Sequence, residues 1–454
     1  MFSSYRRVLA HPGALAFTLG GLVARLGGGM LGISTLNAIA QLRGSYALAG
    51  AVAAAGSVGV ALWLPLLGRL VDRHGQARVA LPAALLGVLP RAGLLLCLGT
   101  GAPDWLLLTC AFTASAGPNL GGMARARWAH LHRSDPAARH AAASLEQALD
   151  ELCFLAGPAL GMLLCDTLFP AAGLLAAGVL GTVGTLLFAA QRRTEPPLAV
   201  TAAAPRAGSP LRARGGGVLL GAFLATGAVF GALEVSTVAY VSAGPGHGHR
   251  AAAGWLLSLL AAGSCLSGLV FGTRPARRAP DVRFRLGLAA MSGLLLLPLA
   301  AGRCGAGTGI LAVALLLAGT GTAPTMVTGM TLLQDLLPPG TLNEGMALAV
   351  SALLTGISAG SALGGLIAQH AAASGTGYAL AVTAALLALL TATAGRRRLR
   401  ASPPSTPRPG TPTSRTPVTG TSTTGMPTAA PERARRRAGW APETWAGARA
   451  GWGG

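Results

Sequence analysis

Twelve stretches of about twenty mostly apolar residues recur along the chain. They lie at roughly 14–40, 46–69, 77–99, 104–124, 143–165, 168–190, 216–241, 251–272, 284–302, 306–334, 342–369 and 376–395. A helix of that length crosses the hydrocarbon core of a bilayer, and in lipid only helices and closed barrels satisfy their own backbone groups. A barrel would show short segments of alternating polarity, whereas these runs are continuous and rich in Leu and Ala. The predicted fold class is an all-α membrane protein with twelve transmembrane helices. Composition agrees: 11% of the 454 residues are charged and 52% hydrophobic, against about 25% charged in an ordinary soluble domain.

The formal net charge is +21, and every basic residue is Arg. A basic surplus serves nucleic acid when it forms one face of a soluble domain. Here the arginines sit in short loops between apolar runs, so lipid is the expected partner and nucleic acid is not. The N-terminus and alternate loops carry them, among them Arg6, Arg7, Arg69, Arg73, Arg78, Arg125, Arg127, Arg133, Arg139, Arg192, Arg193, Arg206, Arg212, Arg214, Arg274, Arg277, Arg278, Arg283 and Arg285. The remaining loops hold only Arg43, Arg250 and Arg303. Positive loops stay inside, which predicts a multi-pass membrane protein with both termini cytoplasmic. The opening MFSSYRRVLAHPG is too polar for the apolar core of a cleaved signal, and the first run reads as a retained helix.

Six cysteines (Cys97, Cys110, Cys153, Cys165, Cys265, Cys304) lie in or at the ends of apolar runs and form no CxxC pair. They read as small buried hydrophobes, not as a disulfide frame or metal site. No GxxxxGK[ST] loop and no nucleophile–base set occurs in the spans, which argues against direct use of ATP and against an enzyme. No cofactor or metal is expected.

The longest internal connection, 191–215, is rich in Pro, Ala and Arg and reads as a flexible cytoplasmic linker. It divides the chain into a six-helix bundle at 1–190 and another at 216–395, as when a transporter arises from a duplicated unit. The stretch after the eighth run, FGTRPARRAPDVRFR, repeats a Gly at a helix end followed by a basic loop. Residues 396–454 form an Arg/Pro/Thr-rich segment expected to be a disordered, solvated cytoplasmic tail, with contact to anionic lipid as the alternative.

The loop between the second and third runs reads GRLVDRHGQAR, Gly68 to Arg78. Gly68 allows close approach to a neighbouring helix, Gly75 allows a tight reversal, and Asp72 and Arg73 can pair across a helix gap. Gly68-x-Leu70-x-Asp72-Arg73-x-Gly75 resembles the signature loop of the major facilitator superfamily, G-x-L-x-D-R-x-G-R-K/R. It departs where Gln76 and Ala77 replace the usual basic pair and Arg78 comes one place late. AGPALG, with Gly157 and Pro158, is similar to the Gly-Pro motif of drug-exporting members, and RARWAHL and SLEQALDELCFLAGP look like bacterial exporter sequences. The arginine usual in helix four of proton-driven exporters is missing. The resemblance spans residues 1 to about 395. It implies two six-helix bundles, alternating access, a small-molecule substrate, protons as the coupling ion, a monomer, and export. A metabolite importer of the same fold, or a non-transporting sensor working through its basic tail, are the alternatives.

In that family the loop acid is thought to dock at the start of helix eleven. TLNE, Thr341 to Glu344, reads as a capping box there, with Thr341 accepting from the Glu344 amide. That helix start attracts Asp72 and Glu344 attracts Arg73. Asp72, Arg73 and Glu344, with Gly68, Gly75 and Arg78, are therefore expected to form a latch made in one state and broken in the other.

A charge at the bilayer centre costs about 2.5–3.5 kcal/mol on insertion scales, so each needs a reason. Arg25 in helix one and Glu234 in helix seven belong, by the resemblance, to cavity-lining helices. Glu234 is the candidate protonatable group, or else a structural partner of Arg25. Arg91 lies in helix three, nearer the outer side. Glu146 and Asp150, one turn apart in helix five, would balance Arg125, Arg127 or Arg73. Thr322 and Thr325 in helix ten, with Asn37 and Asn119 in helices one and four, are either a polar cavity wall or hydroxyls and amides satisfied within the helices.

Overall fold

The computed structural model describes residues 3–198, 210, 213–242, 250–275, 278–338, 340–371 and 375–399. The expectations for most of the linker beyond residue 198, and for the tail beyond Leu399, lie outside the described residues. Within them every regular element is helical: α1 (Ser3–Leu9), α2 (Ala14–Arg43), α3 (Tyr46–His74), α4 (Gln76–Leu86), α5 (Val88–Thr100), α6 (Asp104–Ala114), α7 (Leu120–Leu131), α8 (Pro136–Thr167), α9 (Ala172–Ala190), α10 (Gly216–Ser242), α11 (Arg250–Thr273), α12 (Pro280–Leu294), α13 (Leu296–Arg303), α14 (Thr308–Gly319), α15 (Thr322–Leu336), α16 (Leu342–Ala371), α17 (Gly377–Ala394) and α18 (Arg396–Leu399).

Eleven of the expected spans are long and apolar enough to cross a membrane: α2, α3, α4 with α5, α8, α9, α10, α11, α12 with α13, α14 with α15, α16 and α17. The fourth span differs from the continuous helix expected over 104–124. It consists of α6 and α7, separated by the non-helical stretch 115–119. Pro118 has no amide hydrogen to donate and forces Gly117 out of helical geometry. Asn119 then opens α7 as its N-cap, with Oδ1 accepting from the Gly122 amide at 3.0 Å. The fifth helix begins at Pro136, seven residues before the apolar run, because Asp135 caps it by accepting from the Ala137 and Ala138 amides. The start of the expected tail is also helical: α18 occupies Arg396–Leu399 and buries Leu399.

Two halves follow from the packing. One core is drawn wholly from α10–α18, around Phe223, Phe284, Met291 and Tyr378. The other half has two clusters, one around Phe17, Trp128 and Phe188 and one around Ile39, Leu94 and Leu107. In lipid there is no hydrophobic force between helices, so close backbone contact at small residues carries the association. The α2–α8 crossing shows this, since a Cβ on Gly157 would stand 2.8 Å from the Gly29 carbonyl carbon. Pro158 follows one residue later, inside α8. Outward-facing Leu15, Leu62, Leu89, Leu96, Leu163 and Leu390 are exposed, a surface suited to acyl chains.

Gly157→Val is expected to lower stability by about 1–3 kcal/mol through overpacking. Gly365→Val should be neutral, because nothing lies within 4 Å of a Cβ there. Thermal midpoints of the two purified variants in detergent check this.

Candidate functional site

A cavity of about 380 Å³ opens between the halves. One half supplies Arg25, Arg91, Asn119, Arg125, Gln147 and Asp150 to its wall, with Leu64 and Phe154. The other half supplies Met326, Met330, Val350 and Leu353. The stretch Gly117–Gly121, which spans the break between α6 and α7, forms part of the lining.

Two of the cavity arginines are neutralised within their own half. Arg25 Nη1 lies 2.8 Å from Glu146 and 2.6 Å from Asp150 Oδ1, and its Nε donates to the Gly21 carbonyl. Arg125 donates to Asp150 Oδ2 at 2.6 Å. Glu146 is fully buried and also accepts from the Trp128 indole at 2.8 Å. Glu146 and Asp150 stand one turn apart on α8, so both reach the same face and hold two arginines from α2 and α7. The polar chain continues across the halves. Gln147 donates to Glu151, Ser264 of α11 donates to the same carboxylate at 2.8 Å, and the Thr322 hydroxyl oxygen of α15 lies 2.5 Å from that of Ser264.

The pairing of Arg25 with Glu234 does not occur, because Arg25 is already held by α8. Glu234 is exposed on α10 and has no partner among the described residues. Glu234 is not part of the cavity lining. Thr322 and Thr325 do not line the cavity. Both are buried and bond back to the Gly319 and Gly321 carbonyls at 2.7 Å, the usual way a hydroxyl is satisfied in a helix. Asn37 also lies away from the cavity, accepting from Gln41 at 3.1 Å. Asn119 lines it.

The loop Gly68–Arg78 is the second feature. Asp72 Oδ1 accepts from the Asn343 amide at 3.0 Å and from its Nδ2 at 2.8 Å, and Oδ2 accepts from the Glu344 amide at 2.8 Å. One carboxylate from α3 therefore caps the N-terminus of α16 in the other half. This replaces the expected capping box: Thr341 Oγ1 donates to the Pro338 carbonyl instead. Gly68 lets the helices meet, since a Cβ there would stand 2.7 Å from the Asn343 oxygen. The ion pair to Glu344 comes from Arg69, at 2.6 Å, and not from Arg73. Helix α3 runs on to His74, and Arg73, one turn beyond Arg69, is exposed, as is Arg78.

Gly75 adopts φ +96°, which favours glycine. The departure at Gln76 has its own partner. Gln76 is buried, accepts from Arg127 Nε at 2.7 Å and donates to the Met123 carbonyl. Arg127 also donates to the Gln191 carbonyl and Thr194, and its guanidinium lies 4.0 Å from the Phe188 ring centroid. More links join the halves near this end. Arg139 pairs with Asp335 at 2.8 Å, His140 contacts the Phe271 carbonyl, and Tyr5 donates to the Leu269 carbonyl at 2.6 Å.

No curated protein sequence matches the chain. The sequence profile described as Major Facilitator Superfamily matches residues 17–302 and 247–448. Among solved structures, a bacterial homologue of the iron transporter ferroportin in an outward-facing state has a TM-score of 0.66 and 18% identity, over 85% of this chain and 99% of that one. The human organic anion transporter MFSD10 gives 0.65 and 16% over 87% and 99%. The E. coli fucose:proton symporter FucP gives 0.65 and 15% over 86% and 99%. At these identities the likeness is one of fold.

Arg25→Met leaves two buried carboxylates short of a partner and is expected to cost about 3–5 kcal/mol, read as loss of folded protein in detergent. Asp104→Asn removes the exposed partner of Arg43 and should change stability by less than about 1 kcal/mol.

Proposed function

The chain belongs to the Major Facilitator Superfamily of membrane transporters, and on that premise we propose that it exports a small amphipathic organic solute by alternating access, coupled to protons. The reading assigns it to the bacterial inner membrane as a monomer, with both termini and the arginine-rich loops cytoplasmic. The observation that carries it is the placement of the cavity. It lies between two halves whose cross-half contacts gather at the end that bears the loop Gly68–Arg78. Opening those contacts and closing the opposite end would expose the same cavity to the other side.

Each part has a role in such a cycle. Leu64, Phe154, Met326 and Met330 offer an apolar wall for a moderately apolar solute. The Asp72 carboxylate, with Arg69 and Glu344, is the latch that favours the state closed at the arginine-rich end. Glu234, with no partner among the described residues, is the group that takes up and releases the coupling proton. Arg25, Glu146 and Asp150 brace one half so that it moves as a unit.

Growth of a deletion strain and its complemented parent on a panel of antimicrobial compounds tests the export reading. Sensitivity to at least one compound on deletion is expected, and equal growth on all of them contradicts export. Asp72→Asn is expected to weaken the clasp by about 1.5–3 kcal/mol. That is read as faster thiol labelling of a cysteine placed at the buried Ala347. Glu234→Gln is expected to abolish the acceleration of flux by a pH gradient while leaving solute binding intact.

A further inference from the structure

Arg91 differs from the other arginines of the cavity. Both carboxylate oxygens of Asp150 are taken, one by Arg25 and one by Arg125. Glu146 faces Arg25 and Trp128. Arg91 has no hydrogen bond or ion pair among the described residues. It lies on α5, half-buried, among glycines. A Cβ on Gly87 would stand 2.7 Å from its Nη1, one on Gly178 3.7 Å from its Cδ, and one on Gly117 4.0 Å from its Nη2. Glycine at these positions leaves space around the guanidinium where other side chains would fill it.

The same part of the cavity has hydrogen-bond donors to spare. Asn119 uses its Oδ1 to cap α7, which fixes its Nδ2 as a donor, and that atom is buried with no acceptor. Arg25 Nη2 is likewise buried without one. These groups surround the break between α6 and α7. Arg91 approaches Gly117, the Asn119 Nδ2 lies over Gly122, and Arg125, Arg25 and the Asp150 carboxylate that they neutralise approach Gly121. Arg25, Arg91 and Asn119 all line the same cavity of about 380 Å³, room for one small ligand. The break also presents the N-terminus of α7, the positive end of its dipole. A partnerless cation and unmet donors inside a membrane protein call for a ligand that brings negative oxygens.

Resting on the transporter reading, we propose that the solute is an amphipathic organic anion, and that its carboxylate or other oxyanion binds Arg91 and Asn119 at the α6–α7 break. The apolar body of the solute then lies against Phe154, Met326 and Met330 across the cavity. The recognition step is hydrogen bonding and charge pairing, with no covalent change.

The test is binding of 2-naphthoate and octanoate, each against its own primary amide, to the purified full-length protein. Wild type is expected to favour the acids by about tenfold or more, the range of a charge-assisted hydrogen bond. Arg91→Gln should abolish that preference and Arg91→Lys should keep most of it. The unliganded thermal midpoint of Arg91→Gln should be unchanged or higher, because no carboxylate is left unpaired. The proposal fails if wild type binds acid and amide alike or binds neither. It also fails if Arg91→Gln keeps the preference, or if that variant lowers the unliganded midpoint as a structural residue would. Should Arg91→Gln not fold, Gly117→Asp gives the same answer. A carboxylate fixed beside Arg91 should erase the preference for the acids, and its persistence overturns the proposal. Failure of the transporter reading is distinguishable: it shows as Arg91-dependent binding with no flux of the acids into proteoliposomes.

Discussion

A carboxylate from one half of the molecule caps a helix that belongs to the other. The first amides of any helix lack partners within it and carry the positive end of its dipole. At the start of α16 these amides are met by Asp72 and not by a residue of α16 itself. Water can take the place of the carboxylate at both amides, so the joint does not leave them unsatisfiable if it is broken. Gly68 makes the approach possible, and Arg69 adds a charge pair with Glu344. A related arrangement recurs at the same end, between α11 and α8. Gly272, at the end of α11, lies against Ser144 of α8 and the Tyr5 hydroxyl. Both halves thus present a glycine-bearing helix end to their partner.

Inside the bilayer the rule is pairing. Glu146 and Asp150 on α8 hold arginines from α2 and α7, and this links three helices through buried charge pairs. Removing one member leaves a buried charge, which is far more damaging than losing a surface pair. Groups left out of this pairing are therefore informative. Arg91, Glu234 and the Asn119 amide nitrogen are unmatched among the described residues, and each is a candidate for contact with something that comes and goes.

The spans were legible because apolar length is set by bilayer thickness, a constraint each segment obeys alone. The break in the fourth span was also written in the sequence, as Gly117-Pro118-Asn119, but the apolar run continues through it and conceals it. The latch was legible in part. Asp72 and Gly68 lie four residues apart, on one face of α3, but Arg69 and Arg73 are also four apart, so spacing does not choose between them and only the contact with Glu344 does. Partners from distant helices were not readable. Nothing local separates Arg25 with Glu234 from Arg25 with Asp150; only the α2–α8 crossing, closed by Gly29 and Gly157, decides it. Nor does the sequence tell whether a threonine faces a cavity or its own helix, which depends on how α15 is rotated in the bundle.

Alternating access requires the arginine-rich end to open in every cycle, and Arg139 with Asp335 spans that end from α8 to α15. Cysteines at these two positions, in a chain freed of its native cysteines, can be bridged in proteoliposomes by a short cleavable thiol crosslinker. The account predicts that bridging stops solute flux and that reductant restores it. Flux that continues at full rate with the bridge complete would contradict it.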